Sequence, residues 1–245
     1  MEWEAPAIVL DVRAYGEGGA LVTVLTEAHG AYRGLARGGS SRAQASLWQP
    51  GNLIQARWVA RLSEQLGSMS AELVHSGAAG AMDDPLALSV LTAACAVAEG
   101  ALPEREAHPR VFAGLLQLIV ALGSDDTLAD LVRWEATLLS ELGYGLDVSR
   151  CAVTGQTTEL AFVSPRTGRA VSRAAAGVWE QRLLRLPAFL LGAETSDAAD
   201  WRDGLTLTGR FLERDAFGMQ HRPMPVARLL LVDRVAALAE HGAGI

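Results

Sequence analysis

Apolar positions recur at every second residue over the first 75 residues of the chain and are interrupted by glycines, a pattern that predicts short strands. Ile8, Leu10 and Val12 alternate with Val9 and Asp11, residues 21–25 form an apolar run after Gly18-Gly19, and residues 31–37 follow Gly30. The clearest strand is 53–62: Ile54, Ala56, Trp58, Ala60 and Leu62 make an apolar face, while Gln55, Arg57, Val59 and Arg61 point the other way. Residues 69–74 complete a set of five, and an irregular link over 38–51 follows the third. That series predicts an OB-type β-barrel occupying residues 1–78.

Beyond a small-residue stretch at 76–81 the period changes to 3.6. Asp84-Pro85 supplies an N-cap and a first-turn proline for a helix reaching about Glu99. Pro109 opens a second helix, with Val111, Phe112, Leu115, Leu116, Ile119 and Leu122 as its apolar stripe and Gly123 as its stop. Thr127 with Asp130 has the spacing of a capping box for a third helix ending near Gly143. Later helices are predicted at about 174–184, within 197–217 and over 225–240; a strand-and-turn segment interrupts them at about 150–175. The fold class is therefore α+β: a five-stranded barrel, then a mainly α-helical domain over 79–245.

Composition removes several functions. Half of the 245 residues are apolar, enough for a real core. All 21 cationic residues are arginine, and without lysine the chain has neither a Walker-type phosphate loop nor a Schiff-base mechanism. Five scattered histidines lack metal-ligand spacing, and Cys95 and Cys151 read as free thiols. No catalytic centre, metal or cofactor is expected, so the chain is read as a non-enzyme. No apolar run approaches the roughly 20 residues of a membrane span, and Met1-Glu2-Trp3-Glu4 lacks signal-peptide character, which predicts a cytoplasmic protein.

The net charge of −7 conceals an asymmetry. Residues 29–63 contain no acid but hold Arg33, Arg37, Arg42, Arg57 and Arg61, whereas residues 83–147 are strongly acidic. Arg33 and Arg37 are four apart on one predicted strand and Arg57 and Arg61 on the next, so each pair shares a face, with Arg42 in the link. A positive groove with Tyr32 and Trp48 available for stacking is the expected site for single-stranded DNA. A second basic group, Arg166, Arg169 and Arg173 with Arg182 and Arg185, is opposed only by Glu180 between residues 160 and 193.

Several segments resemble the RecO family in order and spacing: Glu2-Trp3 with Ile8-Val9-Leu10, Leu35-Ala36-Arg37-Gly38-Gly39, Leu47-Trp48-Gln49-Pro50-Gly51 and Met82-Asp83-Asp84-Pro85-Leu86. Leu102-Pro103-Glu104-Arg105, Arg133-Trp134-Glu135, Leu142-Gly143-Tyr144-Gly145-Leu146-Asp147 and Arg222-Pro223-Met224-Pro225 extend it along nearly the whole chain. The resemblance implies a recombination mediator in gap repair, associated with the nucleoid. Such a protein binds single- and double-stranded DNA, anneals complementary strands and, with RecR and single-stranded-DNA-binding protein (SSB), helps load RecA. It implies a site for the partner's acidic tail as well, expected where Arg105 and Arg110 flank the helix carrying Leu115. Several RecO proteins hold zinc with four cysteines in the segment beginning here at Cys151; Thr154, Ser172 and Ala175 stand at the other positions, so a degenerate, metal-free zinc-finger-like insertion is expected. The competing reading is a non-catalytic protein-interaction scaffold without direct DNA binding.

Overall fold

The computed structural model describes residues 1–42, 44–62 and 64–242. Five strands come first: β1 (Glu2–Tyr15), β2 (Gly19–Thr26), β3 (Gly30–Ala36), β4 (Leu53–Val59) and β5 (Ser68–His75). The long β1 serves two neighbours, pairing with β4 through Glu2–Ile8 and with β2 through Ala7–Tyr15. Its register shifts between Val9 and Asp11, an irregularity of the kind that bends a strand. The alternation in β4 matches its sequence pattern: Ile54, Ala56 and Trp58 are buried, while Arg57 and Val59 are exposed. With Val9, Val22, Val24 and Met69 they form the sheet's core. The strand stops at Val59, before Ala60, Arg61 and Leu62.

The expectation of an OB-type barrel followed by a mainly helical domain needs correction in its second half, which carries a three-stranded sheet of its own, whereas the first five strands do close on themselves. They close in the order β1-β2-β3-β5-β4, and the β3–β5 seam is the shortest pairing, a single parallel bridge with Leu35 opposite Ser68. Leu35 N–H donates to Gly67 O at 3.0 Å across this seam, and side chains pack over it. Met69 and Trp58 crowd Gly34 so closely that an added Cβ would lie 2.8 Å from Met69 Cβ.

Three helices belong to the same compact unit, Met1–Ser124: α1 (Gly77–Ala81), α2 (Pro85–Ala101) and α3 (Pro109–Val120). This unit runs past residue 78 because α2 packs on β1 and α3 on β2. Asp84 caps α2 as its sequence implied, accepting a hydrogen bond from Leu86 N–H at 2.8 Å. Cys95 on α2 is a packed thiol that burial pushes up to about 12, against a hydrogen bond from Gly51. The start of β3 is locked to the segment before α3. Gly30 has φ +67, and a Cβ there would lie 1.8 Å from the Glu106 carbonyl oxygen.

The second unit, Asp125–Ile245, holds α4 (Thr127–Glu141), β6 (Leu160–Val163), β7 (Ala170–Ser172), α5 (Arg173–Ala176), β8 (Leu184–Arg185), α6 (Ala198–Phe211) and α7 (Val226–Gly242). The strand-and-turn insertion is a three-stranded sheet in the order β7-β6-β8, so this half is less purely helical than expected. The helix predicted at 174–184 is instead the short α5 followed by a 3-10 turn over Gly177–Arg182, because Gly177 at φ +48 leaves the helical region. The capping box lies elsewhere too: Asp126 is the N-cap of α4 and makes no side-chain cap bond, while Asp197 and Asp200 form a capping box on α6. Packing of α6 against α4 and α7 buries a salt bridge between Glu135 and Arg228, with exposures of 0 % and 1 %.

Candidate nucleic-acid interface

Folding separates the five N-terminal arginines into two kinds. Arg33 stands on β3 with Nη2 3.1 Å from Glu99 Oε1 and Nη1 3.0 Å from Glu104 Oε1. It ties the strand to α2, and its charge is already matched. Arg57 on β4 holds Glu2 Oε1 through both Nε and Nη2, each at 2.6 Å. The register places Arg57 between Glu4 on β1 and Ser70 on β5, and Gln55 opposite Glu72. Three carboxylates thus share the surroundings of one arginine, and no positive stripe forms there.

Arg37, Arg42 and Arg61 are different. All three are exposed, and none has an ion-pair partner among the described residues. Arg37 lies just beyond β3 at a cleft of about 310 Å³ lined also by Leu35, Gln44, Val59 and Ser70. Arg42 sits in the turns after β3, and Arg61 beyond the end of β4.

The expectation that Tyr32 and Trp48 are available for base stacking is corrected. Tyr32 is buried, with Trp58 edge-on at a centroid distance of 4.9 Å, Trp3 at 5.2 Å and the Arg105 guanidinium over its ring at 5.0 Å. Trp48 is 1 % exposed. Arg105, in a left-handed conformation at φ 64, gives its N–H to Ala31 O and an Nη2 hydrogen to Gln65 O. Arg110 is exposed on the first turn of α3. Leu115 and Val111 are fully buried and Ile119 is nearly so, which places the apolar stripe of α3 inside its own unit and corrects the expectation of Leu115 as a contact for a partner's tail.

In the second unit, Arg169 lies 3.4 Å from Asp147, whereas Arg166 and Arg173 are exposed without an ion pair among the described residues. The turn carrying Arg166 meets α6: Pro165, Arg166, Arg210 and Arg214 line a cleft of about 420 Å³. Arg214 buttresses that turn, donating from Nη1 to Pro165 O at 2.5 Å and Arg166 O at 3.2 Å while its other nitrogens bind both oxygens of Asp215. Arg210 is therefore a basic residue of this face that sequence reasoning missed. No local pattern marks it, because its neighbour Arg166 is distant in sequence and meets it only through the packing of α6.

Two family models account for most of the chain, Recombination protein O N terminal over residues 1–76 and Recombination protein O C terminal over residues 82–222. DNA repair protein RecO of Granulibacter bethesdensis is 61 % identical over 244 residues, spanning 98 % of each chain. The protein of the same name from Acidiphilium cryptum is 62 % identical over 240 residues, spanning 96 % of each. The chain belongs to the RecO family.

For the segment beginning at Cys151 the expectation is a degenerate, metal-free zinc-finger-like insertion. Cys151, Thr154 and Ser172 do come together: the Cys151 sulfur accepts N–H hydrogen bonds from Thr154 at 3.5 Å and Ser172 at 3.2 Å. One thiolate whose lone pairs already receive two N–H groups does not fit the four-ligand requirement of a structural zinc. Buried Leu160, Phe162 and Val163 pack the loop instead. Burial acts to raise the Cys151 thiol, but hydrogen bonds from Ser172 and Thr154 together outweigh it and bring the group down from 9.0 to about 6. A depressed folded-state value contributes stability that is fully present above the unfolded thiol's titration and is lost as pH falls through about 6. Wild type is accordingly expected to exceed Cys151→Ala in stability by most at pH 9 and above, with the gap narrowing as pH falls from about 9 to about 6 and changing little below that; urea midpoints across that range measure it.

Proposed function

We propose that this RecO-family chain is a DNA-binding recombination mediator in gap repair, one that holds single and double strands, anneals complementary strands and works with RecR and SSB so that RecA can be loaded. Family membership makes it a DNA-repair protein of the recombination-mediator class, and that class is non-catalytic. The observation that carries the DNA-binding step is that exposed arginines without an ion pair among the described residues occur in both units, Arg37, Arg42 and Arg61 in the first and Arg166, Arg173 and Arg210 among those in the second. Guanidinium contacts to phosphate release condensed counterions and need no bond-making chemistry, while the acidic remainder of the chain keeps the attraction local. For the acidic tail of SSB, Arg110 on the exposed first turn of α3 is the proposed contact, with Arg105 beside Tyr32 as its neighbour. Among the described residues no helix is long and apolar enough to cross a membrane.

Titrating labelled single and double strands at several salt concentrations tests the reading. The logarithm of affinity is expected to fall linearly with the logarithm of salt concentration, with a slope of about 0.9 per phosphate contact on duplex and about 0.7 on single strands. A protein-only scaffold, the second reading, binds neither strand at any salt concentration, and that result would overturn the proposal.

A further inference from the structure

We propose that Trp179, with Arg182, forms a base-stacking platform for single-stranded nucleic acid on the second unit; the inference rests on the DNA-binding reading above and adds to it a specific contact. Of the six tryptophans in the chain, Trp179 is the one with most of its surface in water, at 58 % exposure, and the neighbouring Val178 is 90 % exposed. Trp3 and Trp201 are half-buried, and Trp48, Trp58 and Trp134 are core residues. A large aromatic ring left in water is costly to hydrate, and such a surface commonly marks a recognition site.

The electrostatic setting identifies the ligand. The Arg182 guanidinium lies 5.3 Å from the centroid of the Trp179 ring, so a cation is already layered on the aromatic system. Arg173 precedes the turn and Arg185 follows it, while Glu180 beside them engages Arg185 at only 3.8 Å. An aromatic face among phosphate-binding cations is the combination that holds an unstacked base with its backbone. An acidic peptide ending in an aromatic residue fits less well. Such a tail would have to enter the cleft of about 700 Å³ beside this turn, lined by Phe162, Gly177, Val178, Glu180 and Arg185, where the Glu180 carboxylate opposes its acidic charge. Duplex bases are stacked within the helix, so the platform selects single strands.

Intrinsic fluorescence provides the test, because Trp179 is the tryptophan that a bound base reaches. Adding short oligodeoxythymidine to the full chain is expected to quench the emission, and Trp179→Leu is expected to abolish most of that quenching. The same variant should weaken single-strand binding by roughly five- to a hundredfold with the salt slope unchanged, because a stacking contact is lost and no phosphate contact is. Duplex binding, and binding of an abasic strand of the same length, should be equal in wild type and Trp179→Leu, and Trp179→Phe should restore part of the affinity. Full affinity and quenching in Trp179→Leu overturns the platform while leaving the DNA-binding reading in place. Equal weakening on the abasic strand overturns it as well, as does quenching by an acidic, aromatic-ended peptide but not by the oligonucleotide. A wild-type chain that binds no DNA at any salt overturns both readings.

Discussion

Replacing Arg228 with methionine is expected to lower the unfolding free energy by about 3–5 kcal/mol, the range found when one partner of a buried ion pair is removed. Glu135 on α4 is 0 % exposed and receives Arg228 Nε at 2.6 Å and Nη2 at 2.9 Å from α7. Thr208 on α6 donates its hydroxyl to the same carboxylate, and Arg228 also reaches Leu205 O at 3.0 Å. One pair thus fastens three helices. Without Arg228 the carboxylate remains in an apolar interior with only a threonine hydroxyl to satisfy it. Urea titration followed by tryptophan emission reads the loss, since the buried Trp134 is next to Glu135 in sequence. Replacing both residues with methionine should recover most of the stability, because the desolvation cost goes with the charge. A single variant with an unchanged midpoint would show that the pair contributes nothing.

What could be read from the sequence was what neighbouring residues decide. Alternation in β4 showed which side of Ile54, Ala56 and Trp58 would be buried, and Asp84-Pro85 marked the start of α2, while the meeting of Cys151 with Thr154 and Ser172 was traced only through the family resemblance. Charge was harder. A window without acids looked electropositive, yet antiparallel pairing sets Arg57 opposite Glu4 and in contact with Glu2, and α2 brings Glu99 to Arg33 across 66 positions. Tyr32 and Trp48 read as free aromatics because an apolar ring on a strand or in a loop carries no mark of which face will be covered. The single bridge between β3 and β5 depends on how Met69 packs over Gly34, a fit that period-two patterning does not encode.

The division among the N-terminal arginines leads to the largest expected functional change. Changing Arg37, Arg42 and Arg61 together to glutamine should reduce the duplex salt slope by about 0.9 per residue, and weaken binding at 0.1 M salt on the order of several hundredfold. The loss should be the same for every sequence, since phosphate contacts carry no base information. Changing Arg33 and Arg57 to glutamine should leave the slope nearly intact, because Glu99, Glu104 and Glu2 already match those charges. The exposed Arg57–Glu2 pair contributes only about 0–1 kcal/mol, and because the Glu99 side chain that Arg33 meets is only 9 % exposed, a urea midpoint confirms that the double variant still folds. Comparing the two variants by anisotropy at several salt concentrations separates charge that is merely present from charge that faces outward. If the triple variant folds and keeps both affinity and slope, the first unit is not the main DNA surface. The same measurement on Arg166, Arg173 and Arg210 would then be expected to show the missing slope, because these exposed arginines also lack an ion pair among the described residues and Arg166 and Arg210 line one cleft.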